Sequence, residues 1–524
     1  MARFIKCFRD FSGGLSEAAG DNMADDQLQQ AKNAVPGIVC GITRADGTVE
    51  ALPPLPEATF HRLMDLTELT LANGTTQLIA FSEYAVRQQN VYRYDAANQQ
   101  WIAILSAQTP KKDSFIRAHK LYWLTGADIK VYDGSSVSSL SATPAGDSLT
   151  AAETAVWNKV KKAVAVEQRG RRWFYATPDN EVIFSEIGDP ARVDPTNIIN
   201  VEPGGNDRIT ALKEFSGGLL IFFTNSVFFL SGWDLEGGSD VALSRLNVTS
   251  GTAFPRTVQV AENAVFYLGR DGIYRLRLPQ NSLVLAADNI SNNKISRALL
   301  DRGTVYDAFG IVWNNVYHIS VSYTEGEPVE YRFWPRLDAF FGPYDHRAYS
   351  YSILGGDLLY LGLNNGRIAR FDPASRRYLR DDGTYGPIEF SVATKGFDLA
   401  GALGRDVKIK SVILAARQFK EESSHLTARV KCDYHDAQYK LDLLSLDESL
   451  VYGEGLFGAA VWGWKDLVAK ELLINRRCKR AAIFLSDDSA DEPLVIYGAA
   501  FYCKYRKVKG DRNGSTRVTA DYED

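Results

Sequence analysis

Residues 166–233 read VEQRGRRWFYATPDNEVIFSEIGDPARVDPTNIINVEPGGNDRITALKEFSGGLLIFFTNSVFFLSGW. Two β-ribbon units follow one another in this stretch. In the first, Arg172–Ala176 is a predicted strand, Thr177–Asn180 a turn and Val182–Ser185 the returning strand. In the second, Gly218–Thr224 runs out, Asn225–Ser226 turns and Val227–Ser231 returns. Turn dipeptides between runs of β-branched and aromatic residues are the local signature of a hairpin, because those side chains fit a pleated, buried surface.

The same unit recurs on both sides. Upstream lie LIAFSEYAVRQQNVYRYD (78–95) and KLYWLTGADIKVYDG (120–134). Downstream lie NAVFYLGRDGIYRLRL (263–278), IVWNNVYHISVSY (311–323) with VEYRFWPRLDAFFGPYD (329–345), and LLYLGLNNGRIARFD (358–372). The returning strands, marked at Tyr92, Val131, Ile183, Val227, Ile273, Tyr331 and Ile368, recur at roughly 40–58 residues, the spacing of β-propeller blades. Six or seven blades are expected over 61–380; a pair of β-sandwiches with regularly spaced hairpins is the alternative. LTAAETAVWNKVKKAVAV (149–166) breaks the pattern: Ala152, Ala155, Val156, Val160 and Ala163 at helical spacing predict a surface helix inserted between blades.

Three further regions are predicted. Residues 1–60 form an N-terminal arm lying across a neighbour or capping the next domain, with a short helix over Asp25–Asn33, a strand near 37–42 and an extended Pro-rich 51–58. Residues 381–508 alternate apolar and polar positions over longer strands, as in a β-sandwich-like domain. Residues 509–524 form a polar tail. The fold class is therefore all-β.

Composition bounds the function. The 524 residues exceed what a single core usually serves, and 26 Phe, 25 Tyr and 42 Gly favour short strands and tight turns. A net charge of −5 gives no global case for nucleic-acid binding. Cys7, Cys40, Cys432, Cys478 and Cys503, an odd number without a close pair, argue against a disulfide framework or a zinc site and fit a reducing compartment. No signal peptide or bilayer-length apolar run is present, so synthesis and folding in a cytoplasm are expected.

No catalytic constellation assembles, and neither metal nor cofactor is expected. His318, beside Tyr317 in a strand, reads as a satisfied core histidine, and His435 near Cys432, Asp433 and Asp436 as a polar strand end. The acidic loops at 234–240 and 381–386 lack the ligand ladder of a calcium hand. A propeller glycosidase or receptor-binding propeller is the functional alternative: it needs paired carboxylates, and Trp334, Phe340, Phe341 and Tyr344 are available to stack on a sugar or to seal blades. The basic run Lys504, Arg506, Lys507, Lys509, Arg512 stands out in an acidic chain, as a solvated strand face or a contact for an acidic neighbour or nucleic acid.

Four stretches carry a resemblance: FSGGL with DDQLQQAKN (11–15 and 25–33), RGRRWFYA…NEVIFSEIGDP (169–190), DRITALKEFSGGLLIFFTNSVFFLSG (207–232) and AVFYLGRDGIYRL (264–276). In these the chain resembles the β-propeller tail proteins of short-tailed bacteriophages, the nozzle or hub also called tail tubular protein B. The resemblance covers residues 60–400 and reaches the C-terminal β domain only in style. It implies a structural, non-enzymatic virion protein. Such a protein forms a ring, in the manner of a hexamer, below the portal and adaptor rings. The ring continues the channel through which DNA passes without sequence-specific binding, docks fibres or a needle, and gates genome release. Phe11, Leu15, Gln27 and Leu28 in the arm, with Lys504, Arg506, Lys507 and Lys509, are then the candidate subunit-interface residues.

Overall fold

The computed structural model describes residues 3–18, 22–37, 41–56, 62–85, 88–232, 241–279, 284–399, 407–417, 425–433, 435–442, 467–488 and 494–505. Their regular structure is almost entirely strand, and the fold is all-β and β-propeller-like. Antiparallel four-stranded units follow in chain order. The first comprises Arg62–Thr70, Thr76–Ala85, Gln88–Asp95 and Gln100–Gln108; the second Asp113–Arg117, Lys120–Leu124, Ile129–Tyr132 and Val137–Ser139. The third comprises Ala165–Arg169, Arg172–Ala176, Glu181–Phe184 and Ile198–Asn200; the fourth Ile209–Phe215, Gly218–Phe223, Val227–Ser231 and Ala242–Arg245. The fifth comprises Gln259–Ala261, Ala264–Gly269, Gly272–Arg277 and Ala286–Asn289; the sixth Val305–Trp313, Val316–Tyr323, Val329–Trp334 and Ala339–Tyr344. The seventh is composite: Ser350–Leu354, Leu358–Gly362 and Ile368–Asp372 take their fourth strand, Gly47–Leu52, from near the start of the chain.

All seven returning strands marked in the sequence are the third strands of these units. Their turns follow local chemistry. Asn314 and Asn315 both take positive φ (51° and 59°), as a two-residue hairpin turn requires, and Asn365 (55°) precedes Gly366 (66°) in the same role.

The second strand of the fourth unit shows how the units stack. Gly218–Phe223 is buried throughout. Leu219, Ile221 and Phe223 pack with Phe174, Val182 and Phe184 of the third unit, while Leu220 and Phe222 pack with Val265, Tyr267 and Tyr274 of the fifth. A strand buried on both faces reads as a continuous apolar run, and period-2 alternation deals its side chains to two neighbours. Equivalent clusters join the first unit to the second (Phe81 with Trp123 and Tyr132), the sixth to the seventh (Trp313 with Phe371), and the seventh back to the first (Leu354 and Ile368 with Leu66 and Tyr92). The circuit of packed units closes on itself.

The predicted helix over 149–166 is shorter and rotated. It spans Ala151–Val160, opened by a capping box between Thr150 and Glu153. Its buried stripe is Glu153, Val156, Trp157 and Val160; Ala152 and Ala155 face outward, because Trp157 supplies the large apolar surface. Ala165 and Val166 already belong to a strand.

The described residues among the first sixty are woven into the rest of the chain by strand pairing. Arg3–Phe8 pairs with the strand Val495–Tyr505. Gln27–Lys32, read as helical, is a strand paired with Phe390–Thr394. The three-residue spacing of buried Leu28 and Ala31 that suits a helix arises instead from a register shift between Leu28 and Gln30, a bulge that returns both side chains to the core. Of the predicted strand near 37–42, residues 38–40 lie outside the described residues, and Ile42–Arg44 is strand. C-terminal to the units, Val407–Arg417, Leu467–Cys478 and Val495–Tyr505 form one sheet with Arg3–Phe8, Ala34–Pro36 and Ile42–Arg44. His425–Cys432, His435–Asp442 and Arg480–Asp487 belong to a second, eleven-stranded sheet that runs through Phe390–Thr394 and Gln27–Lys32 into Ala339–Tyr344, so the sixth unit is continuous with it. Ile409, Val412 and Leu414 of one share a core with Ala428, Val430 and Ile483 of the other.

Candidate functional site

The first strands of six units, with the loops entering them, line a cavity of about 570 Å³. Its walls carry Arg62, Asp65 and Glu83 from the first unit, Lys111 and Asp113 at the second, Glu167 from the third, Lys213 from the fourth, Arg256 at the fifth and Asp307 from the sixth. First strands are pleated, so one face meets this cavity and accepts charge while the other packs against a neighbouring unit.

Arg62, Lys111, Lys213 and Arg256 are each paired with a carboxylate, and Lys112 at the same wall is exposed and without an ion pair among the described residues. Arg62 donates to Glu83 Oε2 from Nε (3.0 Å) and Nη2 (2.7 Å), and its guanidinium lies 5.1 Å from the centre of the Tyr306 ring. Lys111 pairs with Asp65 and sits 4.4 Å over the Phe81 ring. Lys213 Nζ is 3.4 Å from Glu167 Oε1, and Arg256 pairs with Asp307. Asp113 accepts backbone N–H bonds from Ser114 (2.8 Å) and Val166 (2.9 Å), and Glu167 accepts one from Glu214 (3.1 Å). Burial pushes both carboxyl groups above their usual range, outweighing the N–H donors and lysines beside them.

Most of these contacts cross from one unit to the next, and each seam has such a tie. Lys111–Asp65 joins second to first, Asp113–Val166 second to third, Glu167–Lys213 third to fourth, and Arg256–Asp307 fifth to sixth. Thr210 donates to the Thr252 carbonyl (2.8 Å) at the approach to the fifth unit, Ser320 to the Ala348 carbonyl at the approach to the seventh, and Ser350 to the Leu63 carbonyl (2.7 Å) across the closing seam.

A second polar constellation lies between the sixth and seventh units. Glu330, fully buried, accepts from Arg332 Nε (2.7 Å) and from His318 Nδ1 (3.1 Å). Arg332 lies 3.9 Å over the Tyr344 ring and donates to His346 Nδ1 (3.2 Å). His346 in turn donates from Nε2 to the carbonyl of Asp46 (3.0 Å), beside the strand that completes the seventh unit. That tautomer leaves His346 neutral. Burial drives both histidines down to about 4, against the pull of Glu330. For Glu330, burial acts upward but Arg332, His318 and His346 outweigh it and hold the carboxylate ionised.

The sequence-derived candidates fall elsewhere. Phe11, Leu15 and Leu28 are buried in the chain's own core, so their side chains do not form an outer interface in this fold; Gln27 is half-buried beside them. Their apolar character signals intramolecular strand pairing. Lys504 lies on the outer face of Val495–Tyr505, while Arg506, Lys507 and Lys509 lie outside the described residues. Phe340, Phe341 and Tyr344 are buried and Trp334 packs edge-on against Phe341 (5.0 Å), so this aromatic set seals the sixth unit and offers no platform to a sugar. Among the described residues no group of three or more His, Cys, Asp or Glu side chains is placed to hold a metal ion. The loop 381–386 is a tight turn, with Gly383 at positive φ and Asp382 accepting from Thr384; 234–240 lies outside the described residues. No described helix is long and apolar enough to cross a membrane. Sequence reasoning missed the cavity charges, whose pairing depends on which first strands become neighbours.

No protein-family model and no curated protein matches the chain. Similar solved structures include BamB from Moraxella catarrhalis (12% identity, 66% of this chain and 97% of that one, TM-score 0.34). A chain of the mitotic checkpoint complex matches at 10% identity over 62% of this chain and 93% of that one, with TM-score 0.36. The extracellular domain of BT4673 from B. thetaiotaomicron matches at 11% identity over 81% of this chain and 58% of that one, with TM-score 0.40.

Proposed function

We propose that the chain is a seven-bladed propeller used as a rigid building block, and that it serves as a nozzle or hub subunit in the tail of a bacteriophage. The observation that carries the structural part is the self-satisfied lining of the axial cavity. Where a propeller that acts on a ligand would present free polar groups, Arg62, Lys111, Lys213 and Arg256 are spent on carboxylates of the same or neighbouring units, and Lys112 alone of the lining cations has no ion pair among the described residues. Ties at each seam, and a last blade closed by Gly47–Leu52, suit a block that carries load. The tail assignment rests on the four stretches that resemble the nozzle family. In that setting copies of the chain assemble head to tail into a closed ring below the portal and adaptor, and fibres or a needle dock on the outside.

Quantitative mass spectrometry of purified phage particles tests this reading. A fixed ratio near one copy per two portal subunits is expected; absence of the chain from particles overturns the tail assignment.

A further inference from the structure

Register places four cations in one line on the outer face of the C-terminal sheet. Arg3 lies opposite Lys504, Lys504 opposite Lys408, and Lys408 opposite Arg477, across four adjacent antiparallel strands. Their chain neighbours Val407, Cys478 and Cys503 are buried on the inner face, so the four share the outer one. With strands about 4.8 Å apart, the line spans about 14 Å. None of the four has an ion-pair partner among the described residues; Arg3 donates to the Tyr502 hydroxyl (3.3 Å). Like charges placed directly opposite destabilise a sheet. Four like charges in one row without a counter-charge among the described residues mark a surface suited to an acidic partner.

The adjoining rows identify the class of partner. The next row runs Ile5, Tyr502 and Leu473, with Ser411 between the last two buried at a register shift, and the row beyond it Cys7, Ala500, Ile413, Glu471. Leu473, Ile5 and Ile413 are 66%, 58% and 39% exposed. A phosphate backbone would engage the cations but leave this aliphatic strip in water. A protein surface with carboxylates beside aliphatic side chains covers both. The chain itself has the complementary charge: without these four cations it retains 55 basic against 64 acidic residues, a remainder of −9. A twofold axis on the line itself would set cation against cation, whereas a heterologous contact sets the line against a different patch.

We infer that the outer face of this sheet binds an acidic, aliphatic patch on a second copy of the chain, head to tail. The inference deepens the ring part of the proposed function. The test is analytical ultracentrifugation of the full chain at about 50 mM and 500 mM salt, for wild type, Lys408→Glu/Arg477→Glu and Leu473→Ser. Wild type is expected to self-associate at low salt and weaken at high salt, and each variant to associate at least about tenfold more weakly. Lys408→Glu alone places a carboxylate between Lys504 and Arg477, so it is expected to raise the monomer's thermal midpoint while weakening association, a pairing of effects that misfolding would not produce. A wild type monomeric at every concentration overturns the inference. So do variants that assemble like wild type; in that case the ring survives and only this face is wrong. A labelled 30-base-pair duplex that binds wild type and not the charge-reversed variant, with self-association unmoved, overturns it in favour of nucleic acid. The particle census is independent of all three outcomes.

Discussion

Between the third and fourth units the buried apolar surface is Phe174, Phe184, Leu219, Ile221, Phe223 and Phe228, and the ion pair Lys213–Glu167 lies at its cavity edge. Between the sixth and seventh, Tyr351, Phe309 and Phe371 enclose Glu330, Arg332, His318 and His346. The first seam forms between units adjacent in sequence, and non-directional burial is enough to join them. The second stands beside the strand Gly47–Leu52, which must reach its partner from the far end of the chain. A buried ionic network gives little net stability, but it penalises every arrangement that leaves a charge unpaired. The bond from His346 to the Asp46 carbonyl extends that penalty to the closing strand. The comparison separates seams held by area from a seam held by matching.

The largest test of that separation removes one partner of the network. Glu330→Ala strands the buried Arg332 guanidinium and should cost about 4 kcal/mol in a denaturant titration. A loss under about 1 kcal/mol would place the seam between the sixth and seventh units in the same class as the others. In the apolar seam, Ile221→Ala should cost about 3 kcal/mol through lost burial and a residual cavity, with no change in pH dependence.

Acid distinguishes the two seams more finely. A histidine held neutral by burial binds fewer protons folded than unfolded. Its contribution is therefore complete above the unfolded pKa near 6.5 and is lost as pH falls toward about 4. Between pH 6.5 and 5.5 the two histidines together should remove about 2 kcal/mol, a slope that His318→Gln/His346→Gln should flatten. Glu330, held below its usual range, adds to the loss in the same direction at still lower pH. An unchanged slope in the double variant would refute neutral burial of the pair. The smallest effect belongs to the helix between the second and third units: Thr150→Ala removes the cap that bonds to the Glu153 N–H and should cost about 1 kcal/mol, leaving both seams' pH behaviour untouched.

How much of this could be read from the chain follows the same physics. Third strands were legible because Tyr92, Val131, Ile183 and their equivalents sit in apolar runs directly after turn residues whose backbone preferences are local. First strands were harder: Asp65, Glu167 and Lys213 interrupt the apolar pattern because they face the axial cavity. Fourth strands such as Ala242–Arg245 are short and fully exposed, so burial left no mark on them. Leu28 and Ala31 misled because a bulge imitates helical spacing. Lys504 stood out in sequence, but its row with Arg3, Lys408 and Arg477 exists only once register brings distant segments together.

The composite seventh unit also sets a clock. Gly47–Leu52 is synthesised before its pairing partner Ile368–Asp372, which follows roughly 300 residues later; at about 5–20 residues per second this is a wait of roughly 15–60 s on the ribosome. Through that interval an unpaired strand and six successive apolar sheets coexist, and a ring of blades remains an open arc with two sticky ends. A neighbouring nascent chain that supplied its own copy of residues 47–52 first would close the arc in trans, the strand exchange that a composite last unit makes available.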